Sequence, residues 1–108
     1  MALTNPRLTD RSRRMGLILP VTVTGSDLAG RSFTEATRTL NISGGGLAFE
    51  TRRRLEVGSR LLLEVRIPPR LRHHFGGRDR YRVRAVVCRV QAPEEGLANV
   101  GVRFLAEG

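Results

Sequence analysis

The strongest constraint on this chain is alternation. In five stretches apolar residues recur at every second position, and glycine, proline and small polar residues separate the stretches. A period of two places one side of an extended strand in a core and the other in water. Met15, Leu17, Leu19, Val21 and Val23 alternate with Gly16, Ile18, Pro20, Thr22 and Thr24. Pro20 cannot donate to a ladder, so its N–H side is expected to face an edge or a bulge. Residues 45–51 place Leu47 and Phe49 on one side. Residues 60–67 set Leu61, Leu63, Val65 and Ile67 against Arg60, Leu62, Glu64 and Arg66, and Pro68-Pro69 ends the run. Residues 80–92 form the longest stretch, with Arg80, Arg82 and Arg84 on one face and Tyr81, Val83, Ala85 and Val87 on the other. The pattern slips between Val86 and Val90, which predicts a bulge. Residues 98–105 turn Val100, Val102 and Phe104 inward.

Residues 31–40 are rich in Thr around Phe33 and suit a sixth strand, with its faces unassigned. No stretch makes a helix of useful length. Turns are expected at residues 25–27, 57–59 and 93–96, and residues 70–79 read as a loop. With 108 residues, 40% apolar, the chain is read as one domain with a modest, mainly aliphatic core. Six short antiparallel strands in this length suggest a closed or nearly closed barrel. Residues 1–14 have neither period and carry Arg7, Arg11, Arg13 and Arg14 against Asp10. They read as a flexible basic arm ahead of a barrel domain at residues 15–108.

The formal net charge is +9, and every one of the 19 cations is arginine. Guanidinium groups meet phosphate and guanine edges two donors at a time. The surface therefore favours anionic partners, although most of these arginines are expected to be plain solvated surface. Aromatic residues for stacking on single strands are scarce, which argues against specific nucleic-acid binding. The one cysteine, Cys88, excludes an internal disulfide and reads as a small buried or half-buried apolar residue. No signal-peptide pattern or membrane-length apolar run is present, so a cytoplasmic location without membrane insertion is expected.

Catalysis has little to stand on. His73 and His74 are adjacent, which in an extended chain points them apart, and no acidic or cysteine ligand is near. No lysine exists for a phosphate loop or a Schiff base, and Gly44-Gly45-Gly46 fits neither nucleotide-binding glycine pattern. No catalytic residue, metal site or cofactor is expected, and the reading is a binding module.

Two short motifs remain. Arg7-Leu8-Thr9-Asp10-Arg11 is R-x-x-x-R, and Asn41-Ile42-Ser43-Gly44-Gly45-Gly46 is N-x-S-x-x-G. Asn41 and Ser43, two apart in an extended chain, can offer an amide and a hydroxyl to one target. The same residues are ordinary turn formers. With the Leu19-Pro20-Val21 strand start, the Gly58-Ser59 turn and Gly101-Val102-Arg103-Phe104, the order and spacing resemble the PilZ domain family over most of the chain. The resemblance implies an all-β, six-stranded antiparallel, Greek-key-like barrel with a flexible N-terminal arm. It also implies a bacterial receptor for the second messenger cyclic di-GMP, acting as a signalling adaptor on an effector protein. The ligand residues it implies are Arg7, Arg11, Asn41, Ser43 and Gly46. Arg13 and Arg14, nearer the first strand, stand with them as candidates. The alternative is a degenerate module of the same family that binds a protein partner without nucleotide.

Overall fold

The computed structural model describes residues 17–91 and 96–105. Six strands run in it: β1 (Pro20–Ser26), β2 (Ser32–Ile42), β3 (Gly46–Thr51), β4 (Arg60–Arg66), β5 (Arg80–Gln91) and β6 (Ala98–Phe104). All pairs are antiparallel, and the order β1-β2-β3-β6-β5-β4 closes into a barrel. Three hairpin-connected strands with the fourth returned beside the first make a Greek key. Here β4 lies against β1, so the expected topology is the observed one.

The alternating residues fill the barrel. Val23, Phe49, Leu63, Val65, Ala85 and Val100 have no exposed surface, and Leu19, Val21, Leu47, Leu61, Val83, Val87 and Val102 are buried around them. Each such Val, Leu or Phe side chain stabilises the fold by roughly 1.5–3 kcal/mol relative to exposure. Arg80, Arg82 and Arg84 project into solvent, as the pattern of β5 requires. Glu64 pairs with Arg80 and Arg82 across the β4–β5 ladder. Pro20 opens β1, where its missing N–H costs the ladder least. In the β1–β2 turn the Asp27 carboxylate accepts from the Ala29 and Arg31 amides at 3.0 Å, and Gly30 takes a positive φ of 78°.

Two readings of the sequence are corrected. The segment after β4 is not an irregular loop but a 3-10 helix, Pro69–Phe75. Pro68 is extended and Pro69 stands in the first turn, where a fixed φ and a missing N–H cost nothing. Gly76, at a φ of 68°, ends it. The helix buries Phe75 and packs Leu71 against the core. Because this backbone is helical rather than extended, the rings of His73 and His74 do not diverge; their centroids are 3.9 Å apart. Desolvation, and then the charge of His73, hold the His74 imidazole below its ordinary pKa. The second correction concerns Cys88, which is exposed rather than buried. It is the extra residue where the β5–β6 register shifts between Val87 and Arg89, and its thiol lies 3.4 Å from the Gly101 carbonyl.

Thr39 fastens the chain ahead of β1. Its side chain is fully buried. Its hydroxyl accepts from the Leu19 amide at 2.9 Å and donates to the Leu17 carbonyl at 2.7 Å. Its own amide donates to the Leu19 carbonyl at 2.8 Å. Three hydrogen bonds thus tie residues 17–19 to β2, two positions from Asn41.

Candidate functional site

Asn41 owes its direction to a bulge. Thr39 pairs with Phe49 and Asn41 with Ala48, so Leu40 is an extra residue in β2. Strict alternation would face Asn41 inward like Thr39; the inserted residue reverses the phase, and Ile42 is buried in its place. The registers then run outward-facing positions across four strands in one row: Asn41 in β2, Ala48 in β3, Gly101 in β6 and Arg89 in β5. The second bulge, at Cys88, is what brings Arg89 into that row. A neighbouring row sets Gly46 beside Arg103.

Ser43 shapes the turn that follows. Its amide donates to the Gly46 carbonyl at 2.9 Å, and its hydroxyl accepts from the Gly45 amide at 3.2 Å. The Gly45 carbonyl accepts from the Phe104 amide at 2.8 Å, which binds the turn to β6. Ser43 is therefore a turn residue in fact as well as a residue at the site. Gly46 does not take a positive φ. A Cβ built on it would stand 2.1 Å from the Val102 carbonyl oxygen. Its need for glycine comes from the close passage of β3 against β6, a reason that the motif alone does not disclose.

Asn41, Ser43, Gly46, Ala48, Arg89 and Arg103 are among the residues lining a cavity of about 230 Å³. Its floor is made of small residues and backbone, and cations come from β5 and β6. Among the described residues the ion pairs are those of Glu64, so neither Arg89 nor Arg103 is neutralised by one. The cavity thus offers an amide, a hydroxyl and two guanidinium groups, a set suited to an anion that also carries hydrogen-bonding edges.

The structure brings together Asn41, Ser43 and Gly46 of the candidates. Arg7, Arg11, Arg13 and Arg14 lie outside the described residues, as does the arm of residues 1–14. Arg89 and Arg103 escaped the reading of the sequence as site residues. The slip near Val86–Val90 was the available signal, but only the β5–β6 register turns that slip into a position. Two larger clefts, of about 480 Å³ beside Ile18 and Arg72 and about 410 Å³ beside Leu28 and Arg54, are not lined by Asn41, Ser43 or Gly46. No group of three or more His, Cys, Asp or Glu among the described residues could hold a metal ion. No helix among them is long and apolar enough to cross a membrane.

Comparison with known proteins gives the following. The family model described as PilZ domain matches residues 7–107. Among solved structures, the fold is similar to the inhibitor of motility of Bacillus subtilis (MotI/DgrA), with a TM-score of 0.63 and 21% identity over 88% of this chain and 41% of that one. It is also similar to the PilZ domain of CeSA from a cellulose-synthesizing bacterium, with a TM-score of 0.57 and 15% identity over 89% and 83% of the two chains. At these identities the likeness speaks for the fold. The chain spans about two-fifths of the length of the motility inhibitor. No curated protein matches.

Proposed function

Because this chain belongs to the PilZ domain family, we propose that it is a receptor for cyclic di-GMP that passes the signal to an effector protein. The observation that carries this reading is the meeting of Asn41 and Ser43 with Arg89 and Arg103 at one cavity. Cyclic di-GMP is two guanines on a dianionic ring of sugars and phosphates. An asparagine amide suits the guanine hydrogen-bonding edge, and guanidinium groups suit its O6 and N7 or the phosphates. Enclosed ligand pockets run to roughly 300–1,000 Å³. A cavity of about 230 Å³ therefore receives part of such a ligand and leaves the rest to be covered.

The arm is the natural cover in this reading. Arg14 precedes the anchored Leu17 by three residues and Arg11 by six, spans of at most about 11 and 21 Å. The anchor itself is fixed two positions from Asn41 along β2. Arg7 and Arg11, joined by Arg13 or Arg14, would close on the ligand, and the closed arm would present a new surface to the effector. The working compartment in this reading is the bacterial cytoplasm, with no resident cofactor.

Calorimetric titration of the purified chain with cyclic di-GMP tests the reading. Micromolar or tighter binding is expected, with Asn41→Ala, Arg7→Ala and Arg11→Ala each weakening it about tenfold, the loss of one good polar contact to a charged or bidentate partner. No heat from a folded barrel would overturn it. One observation favours a second reading, a module that binds a protein partner alone: the Ser43 hydroxyl is already engaged by the turn. That reading predicts partner capture that is indifferent to nucleotide and survives loss of Arg7 and Arg11.

A further inference from the structure

The β1–β2 turn, the β3–β4 connection and the β5–β6 turn all leave the strands at the end of the barrel away from the Ser43–Gly46 turn. Each of the three contributes to the cleft of about 410 Å³, and no residue described there also lines the candidate site. The floor of this cleft is apolar. Leu55 and Ala98 belong to the core, and Val90 and Leu97 are half-buried. Leu28 stands at its edge with 57% of its surface exposed, one of three large apolar side chains so exposed among the described residues. The rim is the run Arg52-Arg53-Arg54, all three exposed.

Specific contacts hold this rim. The Leu28 amide donates to the Arg54 carbonyl at 2.9 Å, which joins the β1–β2 turn to the β3–β4 connection. The Arg53 amide donates to the Thr51 hydroxyl at 2.9 Å, and the Arg53 guanidinium lies 5.0 Å from the centre of the Phe33 ring. Nη1 of Arg52 comes within 4.0 Å of the point where a Cβ on Gly96 would stand, so this side chain leans toward the β5–β6 turn. Among the described residues none of the three arginines has an ion pair, and no acidic residue lines the cleft. Glu94 and Glu95, next to Gly96 in the sequence, lie outside the described residues; set against three arginines they leave the rim cationic. An apolar centre inside a polar rim, with arginine favoured over lysine, is the anatomy of a protein-binding surface. The sign of the rim then selects the sign of the partner.

We propose that this cleft docks an acidic segment of a partner protein, with one apolar side chain seated beside Leu28 on the Leu55–Leu97 floor and carboxylates meeting Arg52 and Arg54. The apolar floor supplies the anchor, and the unpaired cations supply the charge complementarity. Arg53 is already spread over Phe33, so Arg52 and Arg54 carry most of the pairing. Guanidinium groups suit this task because they meet a carboxylate with two parallel donors. A concave floor takes an inserted side chain, whereas a lipid surface is met by a protrusion. The proposal does not rest on the nucleotide reading. It uses other residues, and docking here is expected with or without cyclic di-GMP. It places a partner on the barrel itself, independent of the arm.

The test pans a display library of short random peptides on the full chain and measures the enriched peptides by fluorescence anisotropy. Enriched sequences are expected to carry Asp or Glu around a Leu, Ile, Met or Phe. Leu28→Asp is expected to weaken their binding about tenfold, the effect of losing one central anchor contact. Arg52→Glu combined with Arg54→Glu should weaken it at least as much, and binding to the unaltered chain should fall as salt is raised. Arg60→Glu combined with Arg84→Glu is the control of equal charge, since both residues are exposed and line neither cavity. It should change binding less than about threefold, the scale of exposed charges. All the substituted side chains are exposed, so each variant should melt with the unaltered chain. Asn41→Ala, which tests the nucleotide reading, should leave peptide binding unchanged. The proposal is overturned if no peptide is enriched, if the enriched peptides carry no acidic excess, or if the Leu28 and Arg52 and Arg54 variants bind like the control. Vesicles of phosphatidylglycerol and phosphatidylcholine form the second arm. Sedimentation with them that needs Arg52 and Arg54, with no peptide enriched, assigns the cleft to a lipid surface and overturns the proposal.

Discussion

Alanine at Gly46 is expected to destabilise the barrel by about 3 kcal/mol, near the upper end of overpacking costs. The added Cβ would stand 2.1 Å from the Val102 carbonyl oxygen and 3.2 Å from its carbon. Those are backbone atoms of β6, paired along six positions with β3, and they have no rotamer to change. Relief would require the two strands to separate beside the Ser43–Gly46 turn. For a domain of this size the cost corresponds to a melting temperature lowered by roughly 12–24 °C, readable by thermal denaturation followed in the far-ultraviolet. A melting temperature within a few degrees of the unaltered chain would refute the close approach. A Gly46 variant that loses ligand affinity would therefore report a distorted scaffold before it reports a lost contact. Gly101→Ala is the informative partner experiment, because the neighbour it displaces is a flexible side chain.

Valine at Thr39 is the second large effect, again about 3 kcal/mol. The shape is nearly conserved, but the Leu19 amide loses its acceptor and the Leu17 carbonyl its donor, both beside a fully buried side chain. Leaving buried polar groups unpaired costs roughly 1–3 kcal/mol each, with partial relief if residues 17–19 loosen toward water. Serine at the same position keeps the hydroxyl and should cost about 1 kcal/mol, the value of one buried methyl. Chemical denaturation separates the two variants. Amide hydrogen exchange at Leu19 should accelerate in Thr39→Val and stay slow in Thr39→Ser. Equal stability of the valine variant would mean that these hydrogen bonds do not anchor the chain. In the receptor reading, Thr39→Val also weakens ligand binding, because the cover is then tethered loosely.

Much of the fold was legible because a barrel strand writes its burial into a period of two. Leu61, Leu63 and Val65, and Val83, Ala85 and Val87, are buried where the alternation put them. The residues that escaped are those where the period breaks. Leu40 sits in a threonine-rich strand whose two faces differ little in polarity, so nothing in the sequence marked the bulge that turns Asn41 outward. The slip near Cys88 was visible, yet its consequence for Cys88 and Arg89 depends on which residue of β6 lies opposite, and pairing is not written in either strand alone. The short 3-10 helix eluded a search for a 3.6-residue period because it is only seven residues long. At the candidate site, the spacing of Asn41 and Ser43 put them on one side of the chain, and the family resemblance made them candidates. The reason for Gly46 was not legible, since it lies in Val102, far along the chain.

The barrel's closure also dictates how another protein can engage it. Every described strand has a hydrogen-bonded neighbour on each flank over part of its length, so none is an edge from end to end; β2, however, meets β3 only at Thr39, Asn41 and Ile42, and its Ser32–Arg38 stretch pairs in the ladder with β1 alone. A partner therefore has only such short, singly paired stretches for main-chain augmentation, and over the rest of the wall it reads side chains, among them the exposed guanidinium groups of Arg80, Arg82 and Arg84.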